Sequence, residues 1–448
     1  MKALKKVISY TSGSIPANLL SLAFGTYVQF YYIDTLKGSP LWIGLAATIQ
    51  ALYATLVYPF LGYLSDRVSS RWGRRVAFII YGAVPLGVTF ILVWIPPFPA
   101  TKVLLFTAYF FVTALLYDTL FNITMVNWSA LFPELFHTSI ARASASAWKQ
   151  MFGIIGLIAG LALPQMIASN IGWGPMAIIF GILGIATLLT TIPSFDLRHR
   201  REQALNQSEA PDHSVTLTVR QALKYTLFNR SFLTFVGMRF FVQFAFTMLT
   251  ADLSYYAKYN LHLSGTQQSL LLLGTLVVAL PLVYIWSAVI PRIGAFRTAI
   301  IAIILFGLAL FPFFFAKNFL TALLCGLAIG IGLSAILILT DVLISDVIDE
   351  DQINTGERRE GIFYGIHGLI VGLCTPAQAI VTTIVLTASG YMHSAHQPAT
   401  ALLGFKMMIT VIPMLALVIG LIIFVFYPLK KQHVIQNQKQ LYQSISSQ

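Results

Sequence analysis

A few ionisable or polar residues interrupt otherwise apolar runs, and their types restrict the chemistry on offer. Asp118 stands seven residues before Met125, two turns away on the same helical face, and Asn122 fills the turn between them. A carboxylate in an apolar segment is costly to keep, so it marks a candidate site. With its own polar stripe it could carry a proton or accept hydrogen bonds from hydroxyls, or form a buried ion pair with Arg239 or Lys149. His367 shares a face with Cys374 and Gln378. An imidazole there could titrate near neutral pH, or serve as a hydrogen-bonded structural histidine. Asp341 is a third candidate for proton coupling. Asn18 and Gln29 lie on one face, with Gly25 leaving room for a ligand, although a polar helix–helix contact uses the same residues. Tyr27, Trp128 and Trp148 carry rings of the kind that stack on sugar faces or simply pack. A His/Glu zinc motif, a Ser-Lys dyad and a Gly-rich phosphate loop are all missing. The residues therefore point to holding and passing a solute, with no catalytic residue, metal ligand or cofactor expected.

The elements that must position them follow from composition. Of 448 residues, 57% are hydrophobic and 10% charged, against about a quarter charged in a soluble domain. That excludes a soluble enzyme and a disordered chain, and the net charge of +12 is too thinly spread for nucleic acid. Cys325 and Cys374 sit in apolar runs, so no disulfide framework is read. Runs of about 20 apolar residues are long enough to cross a bilayer as helices. Twelve occur: 8–33, 40–64, 76–95, 102–131, 147–169, 175–193, 231–255, 267–290, 296–316, 319–346, 361–387 and 401–427. The loops on one side hold only Lys37, Lys102, Lys258 and Lys317, whereas the other side carries Arg67, Arg71, Arg74, Arg75, Arg198, Arg200, Arg201, Arg292, Arg297, Arg358, Arg359, Lys430 and Lys431. The positive-inside rule places both termini in the cytoplasm of a cell with this protein in its plasma or inner membrane. No small-residue cleavage site follows the first apolar run, so a retained first helix is expected.

The polar stretch 194–230 splits the chain into a six-helix half at 1–193, a second at 231–427 and a tail at 428–448. The sequence thus predicts an all-α integral membrane protein of twelve transmembrane helices in two pseudo-symmetric halves. Gly153-x-x-Gly156-x-x-x-Gly160 predicts close helix packing.

Two charged loops carry a resemblance. Gly62-x-x-x-Asp66-Arg67-x-x-x-Arg71-x-Gly73-Arg74-Arg75 resembles the loop motif of the major facilitator superfamily between helices two and three. Ser345-Asp346-Val347-Ile348-Asp349-Glu350-Asp351, followed by Thr355-Gly356-Glu357-Arg358-Arg359-Glu360-Gly361, resembles the helix-ten to helix-eleven loop of the glycoside–pentoside–hexuronide:cation symporter family, the melibiose-permease-like group of that superfamily. Tyr10-x-x-Gly13 with Asn18, Pro59-x-x-Gly62, and Leu131-Phe132-Pro133-Glu134-Leu135 with Arg142 and Lys149 agree with it. The resemblance implies the major facilitator fold, alternating access and a sugar-like or amphipathic solute. It makes Asp66, Arg67, Arg71, Arg74, Arg142, Asp346, Asp349, Arg358 and Glu360 a candidate cytoplasmic gate of ion pairs. It also places Lys149 where the family has a sugar-contacting Arg, and Asn18 where it has an acid or amide.

The departures are as informative. The family's two cation-binding aspartates on helix two fall on Ala54 and Tyr58, its helix-eleven Lys on Gly372 and its helix-four acid on Met125. Hard cations need oxygen ligands, ideally anionic, and alanine supplies none. The expectation is a transporter without the family Na⁺ site: proton-coupled, exchanging or facilitating, with a sugar, glycoside or lysolipid as solute. A monomer in the lipid bilayer is expected, and a non-transporting sensor or assembly partner with the same fold is the alternative.

Overall fold

The computed structural model describes residues 2–67, 75–136, 139–195, 229–355, 360–394 and 396–446. All regular structure among them is helical, as an apolar solvent requires, because only helices and closed barrels satisfy every backbone group internally. The chain divides into two compact units, Met1–His213 with Ser264–Ser269, and Ser214–Leu263 with Leu270–Gln448.

The first unit comprises α1 (Lys2–Thr11), α2 (Ser14–Phe30) with a π-helical turn at Tyr31–Thr35, α3 (Pro40–Arg67), α4 (Val76–Val93), α5 (Val103–Ala130), the short α6 (Phe132–Leu135), α7 (Ser139–Ile171) and α8 (Trp173–Leu189). α2 packs lengthwise on α7, and α4 is held between α5 and α8. The glycine spacing on α7 does what its pattern predicts. A Cβ on Gly156 would lie 2.5 Å from the Ile15 carbonyl oxygen, and one on Gly160 2.8 Å from that of Leu19. Backbone thus meets backbone where side chains would normally stand. Rings fill the other end of this unit, with Trp94 stacked on Trp173 at 5.2 Å and Tyr31 against both.

The second unit comprises α9 (Arg230–Tyr259), α10 (Gly265–Ile293) from Leu270 onward, α11 (Ala295–Leu310), α12 (Phe319–Thr355), α13 (Glu360–Gly372), α14 (Cys374–Ala388), α15 (Ala399–Ile409), α16 (Val411–Val425) and the polar α17 (Lys431–Ser446). α11 packs on α12, and α9 packs on α16.

Eleven spans among the described residues are long and apolar enough to cross a membrane. The first expected crossing is also helical but is assembled from α1, α2 and the π turn, so no single piece reaches that length. The last two expected crossings are interrupted as well. The eleventh breaks at Leu373 and the twelfth at Thr410. Proline explains both: it has no N–H and its ring opposes the carbonyl four residues back. Pro376 faces Gly372, the last residue of α13, and Pro413 faces Ile409, the last of α15.

The halves repeat one local device. Lys37 (φ 64°) and His262 (φ 52°) each adopt the left-handed conformation three residues before the next helix begins. The following N–H closes back six residues in both, Gly38 to the Tyr32 carbonyl and Leu263 to the Ala257 carbonyl, each at 2.9 Å. Each closure spans one residue more than the 6→1 bond of a Schellman end, around the same kind of left-handed residue. A tyrosine six residues before each left-handed residue donates to the end of a later helix: Tyr31 to the Trp94 carbonyl, Tyr256 to that of Phe313.

Candidate functional site

In the first unit, Asp118 on α5 accepts a hydrogen bond from the Gln50 amide on α3. Gln50 is buried and Asp118 half-buried. One turn on, the Tyr53 hydroxyl and the Thr119 hydroxyl lie 3.1 Å apart, so α3 and α5 share a short polar seam. Ala54 follows directly on α3, and the Tyr58 side chain lies outside the described residues. Met125, two turns along α5, is buried. Asp118 is therefore held by a neutral amide, and the ion pair with Lys149 is not formed. Asn122 is half-buried, with no hydrogen bond to a described residue.

The other candidates in this unit are more closely packed. Trp128 and Tyr10 each donate to the other's main chain, Tyr10 hydroxyl to the Trp128 carbonyl at 2.8 Å and Trp128 Nε1 to the Tyr10 carbonyl at 3.1 Å. Their rings stack at 5.2 Å. Lys149 Nζ sits 5.0 Å from the centre of the Trp128 ring and 5.6 Å from that of Phe132, a cation–π arrangement. Tyr27 is fully buried and its hydroxyl donates to the Leu161 carbonyl. Asn18 Nδ2 donates to the Gly153 carbonyl across the α2–α7 seam at 3.0 Å, which is the helix–helix use of that amide. Gln29 Nε2 is buried without a partner among the described residues.

In the second unit, α9 gathers the helix-eleven candidates despite the break in that crossing. His367 on α13 stacks on Phe235 with ring centres 5.5 Å apart, and the Cys374 thiol meets the Phe240 carbonyl at 3.1 Å. Gln378 on α14 donates to the Thr382 hydroxyl at 2.8 Å, and that hydroxyl lies 2.9 and 3.0 Å from the two oxygens of Asp252. All three residues are buried. Asp252 was not among the sequence candidates. Its signal was the Gln378–Thr382 spacing, one turn of donors on the opposing helix. Asp341 on α12 is exposed.

Of the expected gate, Asp346 is buried and Asp349 half-buried on α12, and Glu360 opens α13 exposed. Arg71, Arg74 and Arg358, and the side chains of Asp66, Arg67 and Arg142, lie outside the described residues. In the first unit there is an ion pair that the loop motif does not predict: Arg75 reaches Glu134 at 2.6 Å and the Ala130 carbonyl at 2.9 Å. Among the described residues no group of three or more His, Cys, Asp and Glu side chains could hold a metal ion. What this geometry can do is bind, exchange protons at single carboxylates and offer hydrogen bonds within a membrane.

Comparison with known proteins identifies the family. A family model described as "MFS/sugar transport protein" matches residues 9–431. The sodium-dependent lysophosphatidylcholine symporter 1 of Gallus gallus is 21% identical, covering 97% of this chain and 88% of its own length. The isoprimeverose transporter of Lactiplantibacillus pentosus is 24% identical, over 94% and 88%. The crystal structure of the nucleoside transporter NupG superposes with a TM-score of 0.67 at 13% identity, covering 94% of this chain and all of that one, which supports the fold. With all-helical architecture, membrane-length helices and a family match along nearly its whole length, this chain belongs to the MFS/sugar transport protein family and is a secondary transporter of the major facilitator fold.

Proposed function

We propose that this protein moves a sugar- or glycoside-like solute by alternating access, coupled to protons at Asp118 and independent of Na⁺. The observation that carries this reading is the Asp118–Gln50 hydrogen bond beside Ala54. Helix two has no carboxylate at the family position Ala54, while a carboxylate with a neutral partner remains on the facing helix α5. A single carboxylate and an amide are a poor cage for Na⁺, which takes several oxygens. They suit a proton, which needs one basic atom, and solute hydroxyls, which need an acceptor. His367 and Asp341 are the secondary candidates for the same task. The two halves, 1–193 and 231–427, would rock about the solute with the 194–230 segment joining them. The protein would act as a monomer in the plasma or inner membrane, both termini cytoplasmic, without catalysing a chemical reaction.

The isoprimeverose transporter supports a glycoside-like solute, and the lysophosphatidylcholine symporter supports an amphipathic one. Sodium dependence in the latter's name is the property that Ala54 argues against here. The experiment is uptake into proteoliposomes under an imposed pH gradient, with Na⁺ replaced by K⁺. Rates should be unchanged by the replacement, and Asp118→Asn should abolish gradient-driven uptake while leaving solute exchange. A clear Na⁺ requirement would refute the reading.

A further inference from the structure

Arg239 lies in α9 about 14 Å from the start of a helix that spans the membrane. A guanidinium has five N–H donors and no way to shed its charge. Here Nη2 reaches Gln243 Oε1 at 3.5 Å, the outer limit of a hydrogen bond. Its Nε is buried with no partner among the described residues. Among the described residues no carboxylate lies within ion-pair distance; Asp341 on α12 acts on it only from farther off, with its own side chain exposed. His367 lies within electrostatic reach, stacked on Phe235, and its Nε2 is likewise buried and unpartnered. Arg239 also borders a small pocket between α9, α11 and α12 whose other lining, Thr340 apart, is apolar, with Met238, Ile303 and Leu339 among it.

A half-buried cation at this depth with no carboxylate in contact among the described residues is costly, and a bound anion would offset that cost. The planar fork of a guanidinium fits a carboxylate or a phosphate with two parallel hydrogen bonds. We infer that Arg239, with Gln243 beside it, is the binding site for an oxyanion carried by the transported solute. The inference rests on the transporter reading above and narrows its solute to one with a carboxylate or a phosphate.

The test is thermal stabilisation of the purified full-length protein by glucuronate, inorganic phosphate and lysophosphatidic acid, with glucose as the uncharged control. At least one anion should stabilise the protein more than glucose does. Arg239→Gln should raise its half-saturating concentration about 10- to 100-fold, and Arg239→Lys should raise it less, since a point charge remains without the fork. If the glutamine variant does not fold, the lysine variant decides by the same comparison. A response to glucuronate alone assigns a sugar acid, to lysophosphatidic acid alone a lipid phosphate, and to inorganic phosphate as well a free phosphate group; each supports the site. Unchanged affinity in the variants, or no response to any of the three anions, overturns it. Uptake of glucose without any anion response would leave the transporter reading standing. Arg239-dependent anion binding with no solute movement in liposomes would do the reverse.

Discussion

Replacing Gly156 with alanine adds one methyl group where α7 meets α2. That Cβ would lie 2.5 Å from the Ile15 oxygen, 3.0 Å from its Cα and 3.2 Å from its carbonyl carbon, all main-chain atoms that no rotamer can move away. To reach ordinary contact, one helix must retreat by about 0.9 Å along a seam that also holds the Gly160–Leu19 approach. Overpacking of this kind costs about 1–3 kcal/mol. For a unit of about 200 residues that is a fall in melting temperature of about 2–12 °C. Gly25 supplies the opposite case within the same helix pair, since nothing lies within 4 Å of a Cβ built there. Its replacement by alanine removes only the entropy cost of glycine in a helix and should stabilise by about 0.5–1 kcal/mol. If Gly25 leaves space for solute, Gly25→Ala should also slow transport. The assay is thermal unfolding of both purified variants, followed by tryptophan fluorescence, with uptake measured in parallel. A Gly156→Ala melting point within about 1 °C of the parent, or a fall for Gly25→Ala as large as that for Gly156→Ala, would refute the account of the seam.

Thr382→Val removes the hydroxyl that bonds both oxygens of buried Asp252. It should destabilise by about 1–3 kcal/mol, whereas Thr382→Ser should be nearly neutral; equal melting points for the two variants would contradict the network. The Arg75–Glu134 pair is partly exposed, with side chains 28% and 38% accessible, so a double-mutant cycle should yield a coupling of about 0–1 kcal/mol. Arg75→Ala should cost more than Glu134→Ala, because Arg75 also satisfies the Ala130 carbonyl at the end of α5.

Hydropathy made the crossings legible, because bilayer thickness fixes their length and the backbone must bond to itself in lipid. The interruptions at Leu373 and Thr410 were also written in the chain, in Pro376 and Pro413, but a hydropathy window averages over them. Candidate residues were legible where a charge stood in an apolar run, as at Asp118 and His367. Their partners were not, because Gln50 meets Asp118 only through the packing of α3 on α5, a tertiary fact without sequence spacing. Asp252 escaped notice because it lies three residues from the expected end of its segment, where an acid reads as an interface residue. The aromatic candidates Tyr27 and Trp128 show the converse: the type suggested a sugar platform, and the fold uses both hydroxyl and indole to tie down main chain.

The reciprocal bonds of Tyr10 and Trp128 have a mechanical consequence. Each side chain grips the other's backbone, so α1 and the end of α5 cannot slide past one another without losing both bonds and the ring stack together. The joint behaves as a rivet with two shafts, stiff in shear. The same crossing is pinned again at its far end, where the Tyr31 and Tyr32 hydroxyls of the π-helical turn donate to the Trp94 and Val93 carbonyls.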